Sequence, residues 1–336
     1  MQKPSNKTGA TSPSTSHRRS RGCLLWLGGF IVLVLGLLLV GTIYETAAEA
    51  EDARAYPPPG QLVDVGGYRL HLNCTGAGSP TVVIDAGLGD WSTSWSLVQS
   101  EVAKITRVCT YDRAGYGWSD MGPQPRTTQQ FVKELHTLLK QANIPGPYVV
   151  AGHSYGGYTA RLFAHDYPAE VAGVVLIDAT QPSENAQGPM DEKSPTGSPF
   201  NLGAIVSVLA RVGLVRLAGS PGLGNPQFMP ETEKAYAALS VRPQHIQVAL
   251  DETLDMAKSA MIVRDVRTLG DVPLIVLSRR VEDSPSSQAW HAHQTEMLAL
   301  SSHSQMLIAD KSGHNIQLEQ PAAAVGAIGK MVEQVR

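Results

Sequence analysis

The sequence is poor in charge and lacks the patterns by which proteins bind nucleic acids or metals. Charged residues make up 17% of the 336 residues and the net charge is −3, which gives no general attraction to nucleic acid. No basic stripe interleaved with aromatics and no phosphate-binding glycine loop is present. His291 and His293 are two residues apart on a predicted helix, so their side chains diverge. We therefore expect a small-molecule substrate, and no nucleic acid, metal or cofactor.

Charge is absent altogether between Cys23 and Tyr44. This apolar run is long enough to cross a hydrocarbon core of about 30 Å, so we predict a transmembrane helix over 23–44. Five basic residues precede the run, namely Lys3, Lys7, Arg18, Arg19 and Arg21, whereas Arg54 is the only basic residue that follows it closely. The positive-inside rule then predicts a signal-anchor with a cytoplasmic N-terminus and an extracytoplasmic domain.

A cleaved signal peptide is the alternative to this anchor. The tripeptide Ala48-Glu49-Ala50 resembles a small-residue cleavage site. However, the apolar run exceeds the usual signal core of roughly 7–15 residues, which favours the anchor.

The segments around the predicted anchor differ in composition from a globular fold. Residues 1–22, rich in Ser, Thr, Pro and basic residues, are predicted to form a disordered cytoplasmic tail. Residues 45–60 are predicted to form a linker that ends in the stiff spacer Tyr56-Pro57-Pro58-Pro59-Gly60. The remaining residues, 61–336, are sufficient for a single domain with one substantial core.

Short apolar runs alternate with helical patterns through this domain, which predicts an α/β fold with a parallel sheet covered on both faces. Between Thr180 and Asp271 no core strand is evident, and the amphipathic stretches around Ala204–Leu217 and Glu231–Ala260 predict a helical cap at about 180–271. The predicted strands are Gln61–Val65, Tyr68–Asn73, Thr81–Ile84, Arg107–Tyr111, Tyr148–Ala151, Val174–Ile177, Leu274–Leu277 and Gln305–Ala309.

One of these strands runs into a pattern typical of a nucleophilic serine. The residues from Gly152 to Gly156 read Gly-His-Ser-Tyr-Gly, and a helix is predicted from Tyr155 until Pro168 ends it. A strand, a Gly-x-Ser-x-Gly turn and a helix form a nucleophile elbow, which exposes the hydroxyl of Ser154 above the sheet. The glycines allow strand and helix to approach closely.

A histidine follows a late strand in the same way. His314 ends the loop Asp310-Lys311-Ser312-Gly313-His314, directly after the strand Gln305–Ala309. Catalytic groups in such sheets lie beyond the carboxyl ends of the strands, so Ser154 and His314 can meet despite their separation in sequence.

With these motifs the chain resembles the α/β-hydrolases of the serine esterase and lipase type from about Gln61 onward. The resemblance rests on four marks in family order: Asp85-Ala86-Gly87, the run from Asp112 to Ser119, the elbow, and Ser312-Gly313-His314. It implies an eight-stranded, mostly parallel sheet, helices on both faces, and a variable lid after the sixth strand. A serine at the elbow argues against haloalkane dehalogenase or epoxide hydrolase chemistry, which uses an aspartate there.

The resemblance also implies partners for Ser154 and His314. The acid that orients the histidine follows either the sixth strand, where Asp178 stands, or the seventh, where Glu282 and Asp283 stand. Arg279 and Arg280 depart from the small-residue turn usual after the seventh strand, so we expect Asp178 and retain the other two as alternatives. The oxyanion is expected to be held by the main-chain N–H groups of Tyr155 and Leu88.

Other prominent residues receive structural interpretations. Asp112 and Arg113 are expected to form a structural corner near the site, and His153 is expected to pack against or orient the elbow. The tryptophans Trp91, Trp95 and Trp290 either line a pocket or fill the core, and the core is the default expectation. Cys74 and Cys109 lie on strands that the resemblance makes adjacent and antiparallel, so they form either a disulfide or two buried thiols.

These observations predict a membrane-anchored serine hydrolase that cleaves carboxylic esters through an acyl-enzyme. The elbow alone does not separate this activity from that of a thioesterase, amidase, peptidase, lactonase or acyltransferase. A hydrolase-like domain that binds a ligand without catalysis is the alternative from another class.

Overall fold

The computed structural model describes residues 16–182, 202–219 and 230–336. It opens with helix α1, Ser16–Ala55, which is longer than the predicted 23–44. Residues 45–55, predicted as linker, are helical because Ala and Glu are strong helix formers; the prolines after Tyr56 then end the helix. Of the predicted tail, 16–22 also belong to α1, and 1–15 lie outside the described residues.

The domain is built on a single eight-stranded sheet, as predicted. Its order is β1-β2-β4-β3-β5-β6-β7-β8; β2 runs antiparallel to β1 and β4, and all other neighbours are parallel. The strands are β1 Gln61–Asp64, β2 Arg69–Thr75, β3 Thr81–Asp85, β4 Val108–Tyr111, β5 Tyr148–His153, β6 Val171–Ile177, β7 Leu274–Arg279 and β8 Ser304–Ala309. The parallel strands bring their carboxyl ends, and the loops that follow them, to one edge.

Helices cover both faces of this sheet. The helices outside the cap are α2 Ser96–Val102, α3 Thr128–Gln141, α4 Gly156–Asp166, α9 Pro285–Glu296, α10 Ile316–Glu319 and α11 Pro321–Gln334, with short 3₁₀ turns at Ser92–Trp95, Pro168–Glu170 and Met297–Leu300. Leu135 of α3 and Phe163 of α4 pack on one face with Val150. Val98 of α2 and Ile328 of α11 pack on the other with Val149. Adjacent residues of β5 thus enter opposite cores, which explains the continuous apolar run.

The interval between β6 and β7, in which a cap is expected, contains four described helices: α5 Leu202–Arg211, α6 Leu214–Ala218, α7 Pro230–Ser240 and α8 Pro243–Arg264. We call these the cap helices; residues 183–201 and 220–229 of the expected cap lie outside the described residues. Tyr236 of α7 stacks on the buried Trp91 at a ring distance of 4.3 Å. Aromatic packing therefore joins the cap helices to the domain.

The antiparallel edge of the sheet is cross-linked. Cys74 in β2 lies directly opposite Cys109 in β4, and the two form a disulfide. The structure thus confirms the disulfide over the alternative of two free thiols, and the pairing suits an oxidising compartment.

Candidate active site

Ser154 occupies the turn between β5 and α4, with a φ of 50°. Few non-glycine residues adopt this left-handed conformation, and here the chain holds it by bonds on both sides. The Ser154 N–H donates to the Ile177 carbonyl (3.2 Å), and its own carbonyl accepts from Thr180 N–H (3.0 Å). A Cβ on Gly156 would lie 2.5 Å from the carbonyl oxygen of Asp85. The turn therefore requires glycine at this position.

His314 and Asp178 complete a continuous line of hydrogen bonds with the serine. His314 Nε2 lies 3.0 Å from Ser154 Oγ, and His314 Nδ1 lies 2.6 Å from Asp178 Oδ2. Asp178 follows β6 with a φ of 40° and is fully buried, whereas 36% of the His314 side chain is exposed. The structure thus brings together the three residues that the sequence nominated for catalysis.

Two further donors hold the second carboxylate oxygen of Asp178. The indole N–H of Trp290 (2.8 Å) and the backbone N–H of Arg279 (3.0 Å) both donate to Oδ1. Oδ2 therefore remains directed at His314. The expectation that Trp290 is only a core residue misses this contact, since nothing in the local sequence links it to Asp178 across 112 positions.

The alternative acids lie on the loop after β7. The Glu282 carboxylate is 59% exposed and pairs with Arg280 at 2.6 Å, and Asp283 Oδ1 accepts from Gln288 Nε2 at 3.4 Å. Within the described ranges, neither carboxylate hydrogen-bonds His314. The hydrogen bond to Arg280 also lowers the pKa of Glu282, as expected for an exposed ion pair.

His153, next to the serine, supports the other histidine. Its Nε2 lies 2.9 Å from the backbone carbonyl oxygen of His314. Burial, together with the nearby His314 ring, lowers the pKa of His153 to about 4, so it is neutral at pH 7 and can donate this bond. His153 therefore fixes the position of the His314 loop, besides packing under the elbow.

The loop after β3 lies beside the elbow, because Asp85 pairs with Gly152 in the sheet. Leu88 packs with Tyr155 and Phe131. Within residues 16–182, 202–219 and 230–336, neither Leu88 N–H nor Tyr155 N–H donates to another backbone group. Neither expected oxyanion donor is thus used in these main-chain hydrogen bonds.

Arg113 ties this loop to the cap. Its guanidinium donates to the carbonyl oxygens of Ala86 (2.7 Å) and Gly87 (2.8 Å), and it pairs with Asp85 (2.8 Å) and Glu252 (2.9 Å). Burial lowers the pKa of Arg113, but the charges of Glu252 and Asp85 outweigh burial and keep it above its ordinary value. The interpretation of Arg113 as a structural corner therefore misses its link to α8.

A cavity of about 230 Å³ opens beside His314. Arg279 and Arg280 line it together with serine hydroxyl groups from the start of α9, and Ser312 and Gly313 form its other side. A polar cavity thus adjoins His314 on the side of the β7 loop, and Ser154 is not among the residues that line it.

Comparisons with known proteins agree with this architecture. A model described as the alpha/beta hydrolase family matches residues 70–328. The uncharacterized protein YqjL of Bacillus subtilis is 27% identical over 251 residues, covering 73% of this chain and 81% of YqjL. The chain covers less of other curated relatives, for example 49% of the B. subtilis protein YbdG.

Solved structures share the same fold. An esterase from Thermogutta terrifontis superposes with a TM-score of 0.58 at 22% identity, covering 82% of this chain and 98% of the esterase. The epoxide hydrolase CorEH gives a TM-score of 0.61 at 18% identity, covering 82% of this chain and 99% of CorEH. The match of the family model extends over more than half of the chain, so this protein belongs to the alpha/beta hydrolase family and is, in general class, a hydrolase.

Proposed function

We propose that this protein is a serine hydrolase that cleaves carboxylic esters through an acyl-enzyme intermediate. The proposal rests on the hydrogen-bonded line from Ser154 Oγ through His314 to the buried Asp178. A serine hydroxyl is a weak nucleophile at neutral pH unless a base takes its proton, and this arrangement supplies the base and its orienting acid.

The first half-reaction transfers the acyl group to the enzyme. Ser154 Oγ attacks the ester carbonyl carbon while its proton passes to His314 Nε2, 3.0 Å away. Asp178 accepts the hydrogen bond from Nδ1–H, which keeps Nε2 unprotonated before attack and stabilises the imidazolium afterwards. The N–H groups of Tyr155 and Leu88 stabilise the oxyanion.

Collapse of this intermediate breaks the ester C–O bond, and the departing alcohol takes its proton from His314. Water then attacks the acyl carbon while His314 accepts a proton from it. A second collapse releases the carboxylic acid and returns the proton to Ser154 Oγ.

We further propose that α1 anchors the enzyme as a single-pass helix, with its N-terminus in the cytoplasm and the hydrolase domain outside. Residues 25–55 form a helix long and apolar enough to cross a membrane, with a mean hydropathy of 2.4 in its most apolar window. Retention of α1 is supported by Arg216 of the cap, which pairs with Glu45 and Asp52 of α1 at 2.8 Å each. Cleavage after Ala50 would remove Glu45 and leave Arg216 with one fewer partner.

The test is fluorophosphonate labelling of the full chain in detergent, followed by turnover of p-nitrophenyl esters of increasing chain length. Ser154→Ala and His314→Ala should each abolish labelling, whereas Ser100→Ala, a change at an exposed serine in α2, should label like the wild type. If a folded wild type neither labels nor turns over any ester, the proposed chemistry is wrong and a ligand-binding domain takes its place. N-terminal sequencing of the mature protein tests whether α1 is retained.

A further inference from the structure

The cap helices α5 and α6 expose large apolar side chains. In α5 the side chains of Ile205, Val208 and Leu209 are 41%, 52% and 37% exposed, and in α6 those of Leu214 and Leu217 are 48% and 67% exposed. The three residues of α5 follow helical spacing and share one face. Soluble surfaces seldom expose so many large apolar residues on two consecutive helices, which indicates an apolar neighbour.

A groove of about 550 Å³ lies between α1 and the part of the cap that starts at Val212. The cap contributes one wall of the groove, and α1 contributes the other. The residues of the cap wall are Val212, Leu214 and Leu217, and those of the α1 wall are Val34, Leu37, Leu38, Val40, Gly41 and Tyr44.

The two walls are held at one level along the axis of α1. The Arg216 guanidinium donates to both carboxylate oxygens of Glu45 at 2.8 and 2.9 Å, and to Asp52 at 2.8 Å. Gly41 permits a close backbone approach, since a Cβ there would lie 2.5 Å from the Val212 carbonyl oxygen. The position of α1 in a membrane therefore determines the position of α6.

The groove lies within the hydrocarbon if α1 spans a bilayer, and the ion pairs of Arg216 with Glu45 and Asp52 lie at its edge. A hydrocarbon core needs about 20 residues of helix, so the uncharged run that ends at Tyr44 must lie within it almost entirely. Leu37 precedes Glu45 by eight residues, or about 12 Å along the axis. The α1 wall, which starts at Val34, thus reaches well below the lipid headgroups, and the cap wall meets it where Val212 lies against Gly41.

The two charged residues of 202–219 agree with this depth. Arg216 is paired with Glu45 and Asp52 at the end of the apolar run. Arg211, the other charged residue, is exposed at the end of α5, where a cation suits lipid phosphate groups.

We propose that α5 and α6 enter the outer leaflet beside α1, and that acyl chains of membrane lipids fill the groove between them. The inference rests on the proposed membrane anchor and not on the proposed serine chemistry. It makes the cap, as well as α1, a membrane-contacting element, which favours ester substrates that partition into the bilayer.

The test uses the full chain reconstituted into phosphatidylcholine vesicles, with single cysteines labelled by the fluorophore NBD. A Cys23→Ser background leaves no other free thiol, because Cys74 and Cys109 are joined. The reporters are Leu214→Cys and Leu217→Cys. Val32→Cys, 70% exposed in the middle of α1, is the immersed reference, and Ser302→Cys, exposed just before β8, is the aqueous reference.

Brominated acyl chains should quench the labels at 214, 217 and 32 by about twofold or more, and leave the label at 302 unchanged. If 32 is quenched but 214 and 217 behave like 302, the cap lies in water and the inference is wrong although the anchor stands. If 32 is not quenched either, the anchor fails and the inference fails with it. Fluorophosphonate labelling of the same vesicles reports separately on the serine chemistry and on folding.

Discussion

Among single residues, backbone strain coincides with the proposed chemistry. The described part of the chain has three non-glycine residues with positive φ, and two of them, Ser154 (50°) and Asp178 (40°), contact His314 directly. Such conformations cost on the order of 1 kcal/mol or more each and persist only where the surroundings enforce them. Here the backbone bonds of Ser154 to Ile177 and of Asp178 to Leu277 (2.7 Å) enforce them.

Asp178→Asn should lower the ester turnover number by about 10³ to 10⁴ without unfolding the protein. The N–H groups of Trp290 and Arg279 already donate to Oδ1, so the amide oxygen will occupy that position and its NH₂ will face His314. His314 Nδ1 must then accept, which places the proton on Nε2, where it blocks the transfer from Ser154. Turnover numbers and fluorophosphonate labelling rates measure the effect.

The matched controls are the alternative acids on the β7 loop. Glu282→Gln and Asp283→Asn should retain the turnover number of the wild type within about twofold, because these side chains are exposed and pair locally. A large loss of turnover in either control, together with an active Asp178→Asn, would show that the residue orienting His314 is Glu282 or Asp283 and not Asp178.

Two buried histidines should make the protein less stable below pH 6.5. Burial lowers the pKa of both His153 and His245 to about 4. Between that value and the unfolded value of about 6.5, the unfolded chain binds more protons than the folded protein. The free energy of unfolding therefore decreases as the pH is lowered, by at most about 1.4 kcal/mol per pH unit for each histidine. Asp112 outweighs the burial of His71 and raises its pKa, so its contribution changes only above pH 6.5.

Urea unfolding between pH 7 and 5 measures this slope. In His245→Asn the stability lost between pH 7 and pH 5 should be smaller than in the wild type, since one buried histidine is gone; burial raises the pKa of Asp90 to about 6, which makes an opposite contribution in both proteins. An equal loss of stability in His245→Asn and in the wild type would contradict the assignment of a neutral, buried His245.

At the scale of secondary-structure elements, a network of buried hydrogen bonds links the cap helix α8 to the loop after β3. Glu252 of α8 accepts from Arg113 Nε (3.0 Å) and from Tyr116 hydroxyl (3.0 Å), and Tyr116 in turn accepts from Gly89 N–H (3.2 Å). Arg113 holds the Ala86 and Gly87 carbonyls on the same loop. The loop that carries Leu88 is therefore anchored through a cap helix.

Glu252→Gln should lower the free energy of unfolding by about 2–4 kcal/mol, because it leaves part of the Arg113 charge uncompensated in the core. It should also slow fluorophosphonate labelling, since the Leu88 loop loses part of its support. Asp251→Asn, one residue away on the half-buried side of α8, should change stability by less than about 1 kcal/mol. Equal effects of the two substitutions in urea unfolding would show that the buried pair has no special role.

At the scale of the whole molecule, α1 and the cap are joined by the ion pairs of Arg216 and by the apolar walls of the groove. A fragment of residues 56–336 loses both carboxylate partners of Arg216 and uncovers the wall formed by Val212, Leu214 and Leu217. We expect it to self-associate in detergent-free buffer, and Leu214→Ser with Leu217→Ser in the same fragment to reduce this association. Light scattering after size exclusion measures both, and a monomeric unmodified fragment would contradict this account of the cap surface.

The sequence by itself determined the features that contiguous residues encode. The strands and the α/β class follow from hydrophobic patterning, and the elbow at Ser154 follows from turn chemistry within five residues. The eight-stranded sheet is what the resemblance carried by these motifs implied. The apolar run of α1 is equally visible, although its extension to Ala55 is missed because the helical composition of 45–55 was interpreted as a linker.

Only the tertiary structure decided which distant groups meet. Asp178, rather than Glu282 or Asp283, lies beside His314 because the end of β6 faces the β8 loop across the sheet edge. The links of Arg113 to Glu252, of Trp290 to Asp178 and of Arg216 to Glu45 each join residues more than 100 positions apart. Local patterns set backbone conformation, whereas such pairs depend on the path of the whole chain, which no local pattern contains.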